Sequence, residues 1–276
     1  MGGAEPASVR ANGPSDRLPG WVSLLRAPNP GPMTLDGTNT WILRAPGAGF
    51  ATVVDPGPLD EEHLRRIAEQ GPFQFILITH GHHDHVEGAG RLSELLGGVA
   101  VLAADPAHCR HAEPLDPQEH LGGNGLEIQV LDTPGHTGDS VCFLVEHEGE
   151  RVMFTGDTIL GRGTTVVAAP DGDLSSYLAS LELLRSYREV LMLPGHGPAR
   201  SDTAALAEEY LNHRRERLAQ VRAAMAAGAR TPEAVVDVVY PDIDPGVRFA
   251  AEWSAAAQIE HLLRESAARA DGLDRL

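Results

Sequence analysis

Between Thr79 and His85 the chain carries His80, His82, Asp84 and His85, four metal-capable side chains in the pattern H-x-H-x-D-H. Phe75-Ile76-Leu77-Ile78 precedes them, apolar and β-favouring, and reads as a buried strand. Val86 to Leu96 follows, with Val86, Ala89, Leu92, Leu95 and Leu96 at helical spacing. The cluster is therefore expected on the loop between a strand's C-terminal end and a helix, where α/β folds keep their sites. A single histidine is commonly a satisfied core or surface residue. Four ligand types at this spacing after a buried strand read instead as a site for zinc, which takes neutral imidazole and carboxylate. Imidazoles two apart can converge on one ion, and Asp84 and His85 can turn to a second.

The same device recurs along the chain. Trp21 to Leu25, Thr40 to Arg44 and Phe50 to Val54 read as strands, and the last ends in Asp55-Pro56-Gly57. Asp55 could orient a ligand histidine through its other ring nitrogen, or serve as a turn or helix cap. A helix follows from Leu59 to Gln70, with His63 expected on its wet side. After a strand at Val99 to Ala103, His108, His111 and His120 fit no ligand spacing and read as surface residues. The alternating Leu126, Ile128 and Val130 form a strand that runs into Thr133-Pro134-Gly135-His136. A hairpin, Val141 to Glu146 and Arg151 to Phe154, ends in Thr155-Gly156-Asp157. Asp173 caps a helix from Leu174 to Arg188, and the strand Glu189 to Leu193 ends in Pro194-Gly195-His196-Gly197. Pro-Gly turns leave His136 and His196 projecting. His80, His82, Asp84, His85, His136, Asp157 and His196 thus come from four strand ends.

Seven ligands exceed one tetrahedral ion and suit two ions that share a carboxylate. Such a pair lowers the pKa of a bridging water toward neutrality and stabilises the anion formed on a carbonyl or phosphoryl group. Zinc has no redox chemistry of its own, so hydrolysis is the first expectation. The ligand types also permit iron or manganese.

Bulk properties narrow the setting. The 276 residues allow one large domain, or one domain with a small appendage. A net charge of −17 disfavours nonspecific adhesion to nucleic acid or anionic membranes. Cys109 and Cys142 do not make a disulfide framework, and a reducing, cytoplasmic setting fits. No apolar run is long enough to span a membrane. Residues 1–20, rich in Gly, Pro, Ala and Ser, are expected to form a flexible tail without a signal core.

The chain resembles the metallo-β-lactamase superfamily. His80-x-His82-x-Asp84-His85, His136, Asp157 and His196 match its ligand motifs in order, over roughly residues 20 to 200. The resemblance implies an α/β fold, a four-layer αββα sandwich, for a catalytic domain over 21–200, with 201–276 as an appended domain. It implies that His80, His82 and His136 bind one metal, that Asp84, His85 and His196 bind the other, and that Asp157 bridges them. Asp84 would also orient or deprotonate the attacking water, and Asp55 would support the ligands from behind. Asp157 argues against an antibiotic-hydrolysing β-lactamase, since those enzymes generally lack it. Asn29-Pro30-Gly31-Pro32 to Thr38-Asn39-Thr40 and Gly161-x-Gly163-Thr164-Thr165 resemble the β-lactamase-like protein 2 branch. That branch includes a single-strand-specific endoribonuclease and thioesterase-like relatives. Thr164 and Thr165 are candidate substrate contacts, or simply loop structure.

The tail reads as three helices, Asp202 to Ala227, Glu233 to Val239 and about 246 to 269, which the branch resemblance implies are winged-helix-like. Arg214, Arg215, Arg217 and Arg222 could touch phosphates or form a solvated face. From Asp202 onward nine basic residues face thirteen acidic ones, whereas a nucleic-acid module is normally basic. No stable nucleic-acid complex is therefore expected. The first expectation is a dinuclear hydrolase of single-stranded RNA, with a small ester or thioester as the alternative substrate. An iron-dependent persulfide dioxygenase and a binding protein with a spent site are weaker readings. His83 could aid a proton transfer, but the first expectation is a solvent-facing spacer. Oligomeric state is left open.

Overall fold

The structure is a computed structural model, and residues 18–273 are described. The expected N-terminal tail lies, for residues 1–17, outside the described residues. Two five-stranded sheets make up the centre. The first has the order β1 (Val22–Arg26), β2 (Asn39–Leu43), β3 (Ala51–Val54), β4 (Phe73–Leu77) and β5 (Ala100–Leu102). The second has the order β10 (Leu191–Pro194), β9 (Glu150–Gly156), β8 (Val141–His147), β7 (Leu126–Asp132) and β6 (His120–Gly123). Strands β3, β4 and β5 are parallel, as are β9 and β10, so both sheets are mixed.

Strand alternation sorts the side chains into layers. Trp41, Leu43, Val54 and Leu77 of the first sheet pack with Val130, Phe143, Val145 and Phe154 of the second. The Trp41 and Phe154 rings meet edge to face with centroids 6.1 Å apart. Each fully buried side chain of this size contributes roughly 1.5–3 kcal/mol. On the outer face of the first sheet, Ile42, Val53 and Ile76 lie under Leu64 and Ile67 of α1 (Glu61–Ala68) and Leu92 of α3 (Ala89–Leu95). On the outer face of the second, Cys142, Met153 and Met192 lie under α4 (Leu174–Leu184) and α5 (Thr203–Ala226). The architecture is the expected αββα sandwich.

Two local expectations change. The helix after the His-rich run is broken into α2 (His83–Val86) and α3, so Asp84 and His85 sit in a helical turn rather than a loop. Gly88 marks the break. A Cβ there would come within 2.8 Å of Leu64 and 2.9 Å of the Gly57 carbonyl, to which the Gly88 N–H donates. His63, expected in solvent, is buried, with Nε2 3.0 Å from Thr40 Oγ1. Thr40 points out of β2 toward the helical layer, where its hydroxyl donates to the Asp55 carbonyl at 2.7 Å and is left to accept from His63.

The tail is helical. After α5 come α6 (Pro232–Val239) and α7 (Arg248–Leu273), and the described residues after β10 contain no β-strand. Leu206, Tyr210 and Val221 of α5, Val235 of α6 and Leu262 of α7 share one core with Met153 and Tyr177. No described helix is long and apolar enough to cross a membrane.

Candidate metal centre

The chain just beyond β4, β7, β9 and β10 delivers imidazoles and carboxylates to one point at the seam of the two sheets. His82 Nδ1 lies 3.0 Å from His80 Nε2 and 3.0 Å from His136 Nε2. His85 Nε2 lies 3.2 Å from His196 Nε2, and His196 Nε2 is 3.2 Å from Asp84 Oδ2. Asp157 sits between these groups. Its Oδ1 is 3.5 Å from His85, and its Oδ2 is 3.4 Å from His196 and 3.8 Å from His136. All seven side chains singled out in the sequence are thus brought together, four from the first sheet's connections and three from the second's. Among these seven, three triplets have ligand atoms within 4.8 Å of one another: His80, His82 and His136; His80, His85 and Asp157; Asp84, His85 and His196.

The rings are held from behind. Asp55 accepts from His85 Nδ1 at 2.8 Å, the Val166 carbonyl from His136 Nδ1 at 2.9 Å, and the Gly37 carbonyl from His196 Nδ1 at 3.3 Å. Thr79 Oγ1 donates to Asp55 Oδ2 at 2.7 Å, which leaves it to accept from His80 Nδ1 at 3.0 Å. With their Nδ1 protons committed outward, these four histidines turn Nε2 toward the cluster. Ring nitrogens converging at 3.0–3.2 Å repel unless a proton or a metal cation lies among them. Asp157 Oδ1 is buried without a hydrogen-bond partner. This donor set fits a pair of divalent cations.

Electrostatics divide the cluster. Burial, reinforced by the neighbouring rings, holds His80 well below the usual imidazole range. His136 is pulled down to about 4, chiefly by burial. These rings stay neutral, as ligands must. Burial also opposes charge on His196, but Asp157 and Asp84 overcome it and hold the ring up to about 10. Against the same desolvation, His196 and His85 keep Asp157 at about 2. The acidic side of the cluster therefore attracts positive charge.

Several supporting residues escaped assignment from sequence. Asn39 Nδ2 donates to the Pro194 and Gly197 carbonyls at 3.0 and 2.8 Å, clamping the turn that carries His196. Thr38 Oγ1 donates to Asp84 Oδ2 at 3.2 Å and accepts from Asn29 Nδ2 at 2.9 Å. The turn-rich run from Asn29 to Thr40 thus borders the site. Gly195 lets β10 pass the cluster, since a Cβ there would come within 2.6 Å of both Asp157 Oδ1 and His85.

Other candidates fall elsewhere. Thr165 is buried and its hydroxyl donates to the Asp157 carbonyl at 2.8 Å, a loop-fixing contact, whereas Thr164 is exposed. His83 is exposed at the rim of the cavity, as expected. His111 and His120 lie on the surface, but His108 is half-buried near Asp105 and Asp139. Arg214, expected in contact with phosphate or solvent, is buried. It donates to the Thr165 carbonyl and stacks 5.1 Å from the Tyr177 ring centre. Arg215 pairs with Glu182 at 2.9 Å, Arg217 stacks 4.5 Å from the Tyr240 ring centre, and Arg222 pairs with Glu265 at 2.9 Å.

Residues 33–196 match the family profile of the metallo-beta-lactamase superfamily. The chain belongs to that superfamily. Membership makes it a metal-dependent hydrolase by class. Among curated relatives, a beta-lactamase-like protein 2 homolog of Caenorhabditis elegans is 31% identical over 252 residues, covering 86% of this chain and 82% of the relative. An atrochrysone carboxyl ACP thioesterase of Passalora fulva is 32% identical over 214 residues, covering 73% and 60%. A beta-lactamase domain protein from Burkholderia ambifaria shares the fold with a TM-score of 0.76 at 23% identity, covering 91% of both chains. TTHA1623, solved in a di-iron-bound form, superposes with a TM-score of 0.53 at 26% identity, covering 68% of this chain and 98% of its own.

Proposed function

We propose that the chain hydrolyses a carboxylic ester or thioester at a dinuclear metal centre. One observation carries the choice of substrate class over RNA. The cavity of about 500 Å³ above the cluster has no lysine or arginine among its described lining residues, and Asp171, its aspartate outside the ligand set, adds negative charge. A polyanionic RNA strand needs phosphate-neutralising cations along its path. The engagement of Arg214, Arg215, Arg217 and Arg222 with this chain's own groups points the same way. The name of the thioesterase relative from Passalora fulva supports the reading.

His80, His82 and His136 would hold one ion, and Asp84, His85 and His196 the other, with Asp157 shared. Bound there, divalent ions would supply Lewis-acid charge and lower the pKa of water toward neutrality. The protein's own contribution is positional. Thr38 aims Asp84, and against burial His85 and His196, with Thr38, keep it ionised, so this carboxylate can accept a hydrogen bond from a water and orient it. Asp55 and the two carbonyls fix the imidazoles behind it. The cytoplasm is the expected setting and zinc the expected metal. The di-iron form of TTHA1623 favours iron as the second reading, in which case oxygen uptake on a persulfide becomes the activity to look for.

The test assays the purified protein for metal content. It then incubates it with acyl thioesters and with single-stranded RNA, beside an Asp84→Ala control. Thioester cleavage that is lost in the control supports the proposal. RNA cleavage that is lost in the control, without thioester turnover, would replace it with the phosphodiester reading.

A further inference from the structure

The cavity over the cluster is closed on one side by a residue far outside the ligand motifs. Trp253, on α7, lines it together with Met33, Val166, Ala168, Ala169 and Pro170. Trp253 is 52% exposed, Met33 42% and Phe249 38%. Phe249 packs edge-on against Trp253, with ring centroids 5.0 Å apart at 76°. Single exposed apolar residues need no explanation, but a group of large ones beside a concave site marks a ligand surface. The remaining two tryptophans, Trp21 and Trp41, are buried in the sandwich.

The wall is anchored. Arg264 of α7 pairs with Asp173, the cap of α4, at 2.6 Å, and His261 Nδ1 lies 2.9 Å from Ser175 Oγ. Ala255 and Leu262 are buried in the core shared with α4 and α5. Trp253 is therefore held at the cavity by a fixed helix, and its exposure is not that of a loose chain end. The volume, about 500 Å³, falls within the range of pockets that enclose ligands far larger than an acetyl group.

We infer that Trp253, backed by Phe249 and joined by Met33, is the acyl-binding wall of the site and selects substrates with a large apolar acyl group. The inference rests on the ester or thioester reading above and adds the chemistry of the acyl part. An aromatic face suits either a flat ring system or an extended alkyl chain, because both bury apolar area against it. Asp171, a lining acid outside the ligand set, disfavours an acyl group that ends in a carboxylate.

The experiment uses the intact protein and thioesters of one common thiol carrying acetyl, octanoyl or 2-naphthoyl groups. The ratio of kcat/KM for the larger acyl groups over acetyl is the readout. Burying an aromatic or alkyl group against the wall is expected to raise that ratio by about tenfold or more. Trp253→Ala should collapse the ratio by about tenfold, and Trp253→Phe should restore most of it. Leu263→Ala, an exposed site on the same helix that does not line the cavity, should leave the ratio unchanged. Circular dichroism and thermal unfolding confirm that each variant is folded.

A second readout needs no turnover. Because Trp253 is the exposed tryptophan, added octanoate or 2-naphthoate should change the intrinsic fluorescence of the wild type but not of Trp253→Phe, and acetate should change neither. The octanoate and naphthoate arms distinguish a chain from a ring. Carboxylate binding at Trp253 without turnover of any thioester would end the ester or thioester reading and keep the wall. Turnover with the same ratio in wild type and Trp253→Ala, and no fluorescence response, would overturn the wall and keep the hydrolase.

Discussion

Asp55 Oδ2 lies 2.8 Å from His85 Nδ1, and the same carboxylate takes the Thr79 N–H at 2.8 Å through Oδ1. One buried acid at the end of β3 thus sets the angle of a candidate ligand and pins the strand end that precedes the His-rich run. Asp55→Asn preserves the shape and tolerates the left-handed backbone, φ 52°, found there. It removes the charge that holds His85. Metal affinity should fall by roughly 10–100-fold. Competition with a chromophoric chelator measures it, and an unchanged affinity would show that His85 needs no such support.

Stripping the metal should abolish hydrolysis and lower the melting temperature together. A ligand present at 100 times its Kd stabilises the native state by about 2.7 kcal/mol. Thermal unfolding before and after chelation, then after adding back zinc, iron or manganese in turn, checks both effects. The metal that restores both is the functional one.

Asn39 offers a test of the frame around His196. Asn39→Asp replaces two amide N–H donations to the Pro194 and Gly197 carbonyls with a buried acceptor facing acceptors. The expected loss of stability is about 2 kcal/mol or more, read from the urea midpoint. Activity should fall further than stability alone explains, because the turn carrying His196 is released.

Acid should loosen the joint between α4 and α7. The N–H of Ser176, then Arg264, hold the Asp173 carboxyl below its ordinary value of 3.8. The stability it contributes is therefore complete above that value and is lost as pH falls through the lower, folded-state one. Asp173→Ala should cost about 1 kcal/mol near neutrality, as loss of a helix cap does. The gap to the wild type should close toward pH 2. Melting curves across pH 2–7 decide it.

The two thiols should differ in reactivity. Burial pushes Cys142 up to about 11, so at pH 8 it is an inert thiol. Cys109 is half-exposed. A disulfide reagent should titrate one thiol in the native protein and two after denaturation. Rapid reaction of both in the native state would contradict the packing of Cys142 between Thr133 and Thr155.

The metal cluster could be found from sequence because its signal is local: an apolar run, a turn, then an imidazole or acid, repeated at four strand ends. Apolar runs and alternation marked every strand but β6, whose His120-Leu121-Gly122-Gly123 carries one large apolar residue and takes its place only by pairing with β7. What escaped depends on partners distant in the chain. His63 adjoins the apolar Leu64 on α1, but its burial is decided by Thr40 on another element. Arg214 sits among exposed arginines in sequence, yet Tyr177 and the Thr165 carbonyl draw it inside. Trp253 belongs to a helix with no motif at all, and only the packing of α7 on α4 brings it to the cavity. Asn39 lies in a run that resembles the family's motif, but the carbonyls it grips are those of a loop some 155 residues away.

The seam between the sheets has a mechanical consequence. His80, His82, Asp84 and His85 ride on one slab of the sandwich, and His136, Asp157 and His196 on the other. Ions shared between them would act as rivets, and slippage of one slab against the other by an ångström would spoil their seats. The edge-to-face contact of Trp41 with Phe154 across the seam would then help to keep those seats in register.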